Sequence, residues 1–174
     1  MSVGHNIAAR ASARFSTSGT SQRLLSRISG PHYGGLDSMP LTPNEIEAAN
    51  RAEATALLIR AGYRVYRPEA DCYGEDLILR EPCGQLRVTQ LKSCPTVNRL
   101  KYGGKDIWML FPDTNIPTAS GRKWFLVPHD LFYAWIENRY GHTVAIQRDQ
   151  IWHVSTAPQV MADFLRAYLV KLPE

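Results

Sequence analysis

Two apolar runs flank a tight reversal in the middle of the chain, and this pattern constrains the fold more than any other. Gly74-Glu75-Asp76-Leu77-Ile78-Leu79 leads into Glu81-Pro82-Cys83-Gly84-Gln85, and Leu86 to Ser93 returns. Pro82 and Gly84 supply the backbone angles that a reversal needs, so the spacing predicts an antiparallel hairpin. Centring the turn on Cys83 sets position 80 opposite 86 and position 76 opposite 90. Side chains alternate faces along a strand. Asp76, Gln90 and Lys92 therefore share one face, while Leu77, Leu79 and Leu91 take the other and point into a core. Directly opposed residues have Cβ atoms about 5 Å apart. A carboxylate and an amide oxygen at that separation can bind one cation, with the backbone carbonyl of Leu91 as a third oxygen.

The elements around the hairpin follow from periodicity and caps. Thr42-Pro43-Asn44-Glu45 reads as a helix start, with a capping hydroxyl, proline in the first turn and acids at the positive dipole end. Ile46, Ala49, Ala54, Leu57, Leu58 and Ala61 recur at spacings of three and four, a buried helix face that Gly62 ends. Tyr63 to Tyr66 is a short strand closed by Pro68. After the hairpin, Ile107 to Phe111 and Lys123 to Val127 read as strands. Pro128 opens a helix through about Arg139, residues 144–154 hold one or two short strands, and residues 157–171 form a closing amphipathic helix. This order implies an α/β domain with a mixed central sheet flanked by helices.

Length and charge set the outer limits. A chain of 174 residues accommodates one domain plus some extra chain, and 44% hydrophobic residues are enough for a core. No stretch approaches the roughly 20 apolar residues of a membrane helix, so the expectation is a soluble protein. Cys72, Cys83 and Cys94 form no C-x-x-C pair and give an odd count, which suits reduced thiols in the cytoplasm. The net charge of +4 is unevenly placed. Residues 1–38 hold Arg10, Arg14, Arg23 and Arg27 against Asp37, or +3; the other 16 basic and 15 acidic residues leave +1 for the body. Any nucleic-acid-binding charge on the body must therefore be local. Residues 1–38, rich in Ser, Gly, Ala and Arg, read as a disordered basic tail. Two alternatives stay open: a mitochondrial targeting segment, or sequence upstream of a true start at Met39. Residues 39–174 are expected to carry the domain.

The hairpin resembles the PD-(D/E)XK nuclease superfamily, with the group I intron-associated and Holliday junction resolvase-like endonucleases nearest in flavour. The residues that carry the resemblance are Glu53 in the first helix, Gly62-Tyr63-Arg64-Val65 after it, Gly74 to Leu79, Arg87-Val88-Thr89-Gln90-Leu91-Lys92-Ser93, and Trp124 to Pro128 as a later strand ending in proline. The likeness covers roughly residues 45 to 130. It implies a restriction-endonuclease-like αβββαβ core, Mg²⁺ or Mn²⁺ as cofactor, DNA as partner and phosphodiester hydrolysis, in a family whose members often form homodimers. Carried onto this chain, it makes Glu53, Asp76, Gln90 and Lys92 the catalytic set. Asp76, Gln90, the Leu91 carbonyl and Glu53 would hold the metal, and Glu47, on the same broad helix face, is a second helix carboxylate to consider. The family pattern has an acid where this chain has Gln90, which keeps an oxygen ligand but removes a charge.

The basic residues Arg99, Lys101, Lys105 and Arg122 surround the following strand. Lys101-Tyr102-Gly103-Gly104-Lys105 reads as a flexible loop able to touch a DNA backbone. His129 reads as a helix-start residue rather than a base. The tryptophans Trp108, Trp124, Trp135 and Trp152 sit in apolar periodic segments and are expected to pack in the core. Against the nuclease reading stands a second one, in which the fold is a DNA-binding or assembly module without catalysis and Gln90 marks the lost activity.

Overall fold

The first helix shows how the chain commits to its architecture. α1 (Pro43–Arg60) opens with a full capping box: the Thr42 hydroxyl accepts the Glu45 N–H at 3.3 Å, and the Glu45 carboxylate accepts the Thr42 N–H at 2.7 Å. Gly62, at φ +90°, breaks it and turns the chain into the sheet. The computed structural model describes residues 40–70, 74–115 and 121–173. They belong to one compact unit, Pro40–Glu174. The expectations for residues 1–38 and for Cys72 lie outside the described residues.

A five-stranded mixed sheet forms the centre. It contains β1 (Arg64–Tyr66), β2 (Leu77–Arg80), β3 (Leu86–Leu91), β5 (Ile107–Pro112) and β6 (Trp124–Pro128), in the order β1-β2-β3-β5-β6. All pairs are antiparallel except β3 with β5, which is parallel. The hairpin register pairs Arg80 with Leu86 and Leu77 with Thr89, the alignment expected from a turn centred on Cys83. A second, two-stranded sheet joins β4 (Thr96–Asn98) to β7 (Ile151–His153). Among the described residues, four α-helices accompany the strands: α1, the single turn α2 (Arg99–Tyr102), α3 (His129–Tyr140) and α4 (Gln159–Leu165).

The central sheet has a core on each face. On one, Leu77, Leu79 and Leu91 pack with Leu110, Trp124 and Leu126 against Ala54 and Leu58 of α1. On the other, Met109, Phe111 and Val127 pack against Phe132, Tyr133 and Ile136 of α3 and Met161 and Leu165 of α4. Fully burying one such leucine stabilises by roughly 1.5–3 kcal/mol. The anchoring of α1 is one-sided: Asn50, Ala54 and Leu58 are its buried residues, while Ile46 and Ala49 are exposed. The first two turns of α1 therefore extend beyond the apolar core.

Three elements differ from the sequence reading. The closing helix ends at Leu165, passes through a 3₁₀ turn (Arg166–Tyr168), and then Leu169 bridges to Phe125 while the Val170 N–H donates to the Trp124 carbonyl at 2.8 Å. The unpaired edge of β6 captures the tail in extended form, since edge groups left open are a template for pairing. Residues 145–149 form a π-helical turn rather than a strand, and β7 pairs with β4, an element the periodicity did not indicate. The αβββαβ order holds with a reduced second helix, because α2 is one turn long.

Candidate metal and phosphate cleft

Asp76 stands immediately before β2, and its N–H donates to the Thr89 carbonyl at 2.9 Å, extending the ladder by one residue. This sets Asp76 against Gln90 on the neighbouring strand. The Asp76 Oδ2 accepts the Leu91 N–H at 2.8 Å and also accepts from the Gln90 side-chain amide. Gln90 is 5% exposed and fully engaged. Its NH₂ donates to Asp76 and to the Leu91 carbonyl, the latter at 3.2 Å, and its oxygen accepts from the Tyr102 hydroxyl at 3.1 Å. The amide therefore turns its nitrogen, not its oxygen, to the carboxylate.

The pair opens into a cleft of about 550 Å³ bounded by Glu47 and Asn50 of α1, Asp76, Gln90, Leu91, Lys92 and Lys101. Lys92 follows β3, held by its N–H to the Leu110 carbonyl at 2.9 Å. The ammonium groups of Lys92 and Lys101 lie 5.7 and 5.2 Å from the centre of the Tyr102 ring. Two cations thus sit beside one aromatic ring, within the range where its quadrupole attracts them. The end of α1 that escapes the apolar core supplies the opposite wall, so the cleft exists because the helix overhangs the sheet.

Glu53 is not brought to this cleft. The Arg122 Nε donates to Glu53 Oε2 at 3.1 Å, and the Trp124 indole N–H donates to Oε1 at 3.0 Å. The carboxylate is committed to a structural clamp between α1 and β6. Burial works against its ionisation, yet the hydrogen bonds from Arg122 and Trp124 outweigh that and hold its pKa below the usual glutamate range. Nine residues before Gly62, Glu53 sits on this clamp, and Glu47 is the helix carboxylate that lines the cleft. Besides Glu53, the Arg122 guanidinium donates to Asn50 at 2.6 Å, so its donors are directed toward α1.

The basic segment 101–105 is also less free than its glycines imply. The Asn98 side chain caps α2 by accepting the Lys101 N–H at 2.9 Å, and the Gly104 N–H donates to Asp130 at 2.9 Å. The turn thus held swings Tyr102 inward, 2% exposed, onto Gln90. Lys101 lines the cleft, Lys105 is exposed, and the exposed Arg99 guanidinium lies 5.1 Å from the Tyr133 ring centre. His129 is 1% exposed, with one ring nitrogen 2.9 Å from Asp130 and the other accepting the Asn98 N–H at 3.3 Å. Burial pushes its pKa down against the pull of Asp130. It acts as a neutral strut at the start of α3. Asn50, which lines the cleft, and Tyr102, which bonds to Gln90 from beneath it, are residues that sequence reasoning did not single out as candidates.

The donor set decides which ion suits this place. Among the described residues, no three His, Cys, Asp or Glu side chains gather as a metal centre. The available donors are oxygens: the Asp76 carboxylate, the Leu91 carbonyl and the Gln90 amide oxygen. Hard oxygen donors with room for waters suit Mg²⁺ or Mn²⁺ and not a thiolate- or imidazole-seeking ion. The set fits once the Gln90 amide is reversed, so that its oxygen joins that of Asp76.

No family model matches the sequence, and no curated protein matches it. A bacterial homing endonuclease of known structure is similar to this chain at 16% identity and a TM-score of 0.43, over 68% of this chain and 78% of that one. Among the described residues, no helix is long and apolar enough to cross a membrane.

Proposed function

We propose that this chain is a divalent-metal-dependent endonuclease that hydrolyses phosphodiester bonds in DNA, on the PD-(D/E)XK plan. The observation that carries the reading is the convergence of Asp76, Gln90, the Leu91 carbonyl and Lys92 at one end of an open cleft. Asp76, Leu91 and Gln90 would hold Mg²⁺ or Mn²⁺, with Glu47 as the carboxylate offered from α1. Such an ion, when bound, polarises the scissile phosphate and lowers the pKa of a coordinated water. Lys92 neutralises the charge that develops on the phosphate or orients the attacking water. Lys101, along the same wall, offers a positive charge to the backbone of the entering strand.

The geometry also favours a second reading at one point. Gln90 donates its side-chain amide to Asp76, which also accepts the Leu91 N–H, so the carboxylate has partners without a cation, as expected of a nuclease fold kept as a catalytically inactive DNA-binding module. One assay separates the two. Purified protein is incubated with duplex, single-stranded and branched DNA, with Mg²⁺, with Mn²⁺ and with chelator. Metal-dependent cutting that disappears in both Asp76→Ala and Lys92→Ala is expected. Cutting that survives both changes removes the assignment, and binding without cutting, indifferent to chelator, establishes the inactive module.

A further inference from the structure

We infer that Tyr102 is a positioning residue that restrains cation binding by holding the Gln90 amide oxygen away from Asp76. The inference rests on the metal-site reading of the cleft and names the group that regulates it. Three observations carry it. The Tyr102 hydroxyl donates to the Gln90 oxygen at 3.1 Å, drawing the metal-competent end of residue 90 toward α2. The Gln90 NH₂ fills the place facing Asp76 and the Leu91 carbonyl. Finally, Gly74 seats the tyrosine. An added Cβ there would lie 2.6 Å from the Tyr102 ring and 3.3 Å from the Gln90 oxygen, so the chain leaves room for this arrangement.

An amide has a donor end and an acceptor end, and a cation accepts only the acceptor end. Binding an ion between Asp76 and Gln90 therefore requires the amide to turn over. The turn breaks the O–H···O bond from Tyr102, and the hydroxyl must become the acceptor of the Gln90 N–H. Its proton then has to be redirected although Tyr102 is only 2% exposed. Tyrosine thus favours the metal-free orientation of glutamine specifically. With a carboxylate at position 90, one oxygen could keep the hydroxyl's bond while the other faces Asp76, and no restraint would remain.

The test measures Mn²⁺ affinity by calorimetry and by the electron paramagnetic resonance of free Mn²⁺, on the full chain without DNA. Losing one net hydrogen bond from the free orientation predicts that Tyr102→Phe binds Mn²⁺ about three- to tenfold more tightly than the parent. The same change in a Gln90→Glu background produces no tightening. An unchanged or weakened affinity in Tyr102→Phe, with binding still abolished by Asp76→Ala, overturns the restraint and leaves the metal site standing. Absence of Asp76-dependent Mn²⁺ binding in every variant overturns both. Should Tyr102→Phe fail to fold, the parent supplies its own test. In ¹⁵N-labelled protein saturated with Mg²⁺, the Gln90 side-chain amide protons should gain nuclear Overhauser contacts to the Tyr102 ring and lose those to residue 76. An amide that keeps its orientation on saturation overturns the inference.

Discussion

Glu53 and Arg122, 69 residues apart in sequence, meet in an ion pair that fastens the first helix to the sheet. The Arg122 side chain is 14% exposed and also donates to Asn50, while the carboxylate also takes the Trp124 indole N–H. Removing the carboxylate leaves a largely buried cation and a buried indole N–H without that acceptor. Losing hydrogen bonds to a charged group typically costs about 1.5–3 kcal/mol, and partial exposure of Glu53 puts the expected loss at the lower end. Glu53→Ala should lower the urea midpoint accordingly, with metal-dependent cutting per folded molecule unchanged. Cutting that falls without loss of stability would return Glu53 to the catalytic set. Because the folded pKa is depressed, this clamp contributes above the ordinary glutamate pKa and weakens as pH falls through the folded value.

His129 predicts a second pH dependence, at a higher pH. Burial is the main cause lowering its pKa, opposed by Asp130. The unfolded chain takes up the proton near the ordinary value of about 6.5, while the folded protein still holds the ring neutral. In that window the unfolded state binds more protons, so stability must fall as the pH drops from the ordinary histidine value to the lowered one. The location of the ring at the start of α3 acts in the same direction, since the positive dipole end disfavours imidazolium. Urea midpoints measured downward from pH 7 should decline, and His129→Gln should flatten that decline. A His129 imidazole that titrates at or above its ordinary pKa by NMR would refute the account.

How far the sequence discloses this molecule depends on how local each feature is. The hairpin is local: Pro82, Gly84 and strict alternation place Arg80 opposite Leu86 before any tertiary contact is known. The Asp76–Gln90 pair inherits that register. Glu53 is different, because its partner lies across the fold and no spacing within α1 distinguishes it from Glu47. Ile46 shows the same limit. Periodicity says which face of a helix can be buried, and the end of the sheet decides where burial stops. Tyr102 had a faint signal, an Asn98 three residues before Lys101 that can cap a turn. A one-turn helix is too short for periodicity to show which way its side chains point. The closing helix was cut short by the open edge of β6, a property of the neighbouring strand rather than of residues 166–171.

Gly74 offers a direct probe of the packing behind the cleft. It is buried, has φ +96°, and an added methyl would lie 2.6 Å from the Tyr102 ring. A left-handed backbone costs an L-residue roughly 1–2 kcal/mol, and forcing a methyl into a filled site costs typically 1–3 kcal/mol more. Gly74→Ala should therefore lower the thermal midpoint and displace Tyr102 from Gln90, visible as a change in the near-ultraviolet circular dichroism of the tyrosine. A variant with parental stability and an undisturbed tyrosine signal would show that the close approach does not exist in solution.

Lys101 and Arg122 were paired by sequence as phosphate contacts, and the structure separates them. The Lys101 ammonium lies beside Tyr102 at the cleft, whereas the Arg122 guanidinium is spent on Glu53 and Asn50. If DNA follows the cleft, removing one lysine that contacts a phosphate reduces the slope of log affinity against log salt by about one and weakens binding evenly across sequences. Lys101→Ala should do this while leaving the urea midpoint unchanged, because an exposed lysine on a capped turn contributes little to folding. Arg122→Ala should do the reverse: the midpoint falls and the salt slope of the folded fraction stays the same. Fluorescence anisotropy on a labelled duplex at several salt concentrations, run beside urea denaturation of both variants, reads the two quantities independently. A salt slope that changes with Arg122 and not with Lys101 would place the DNA on the opposite side of α1, away from Asp76 and Gln90.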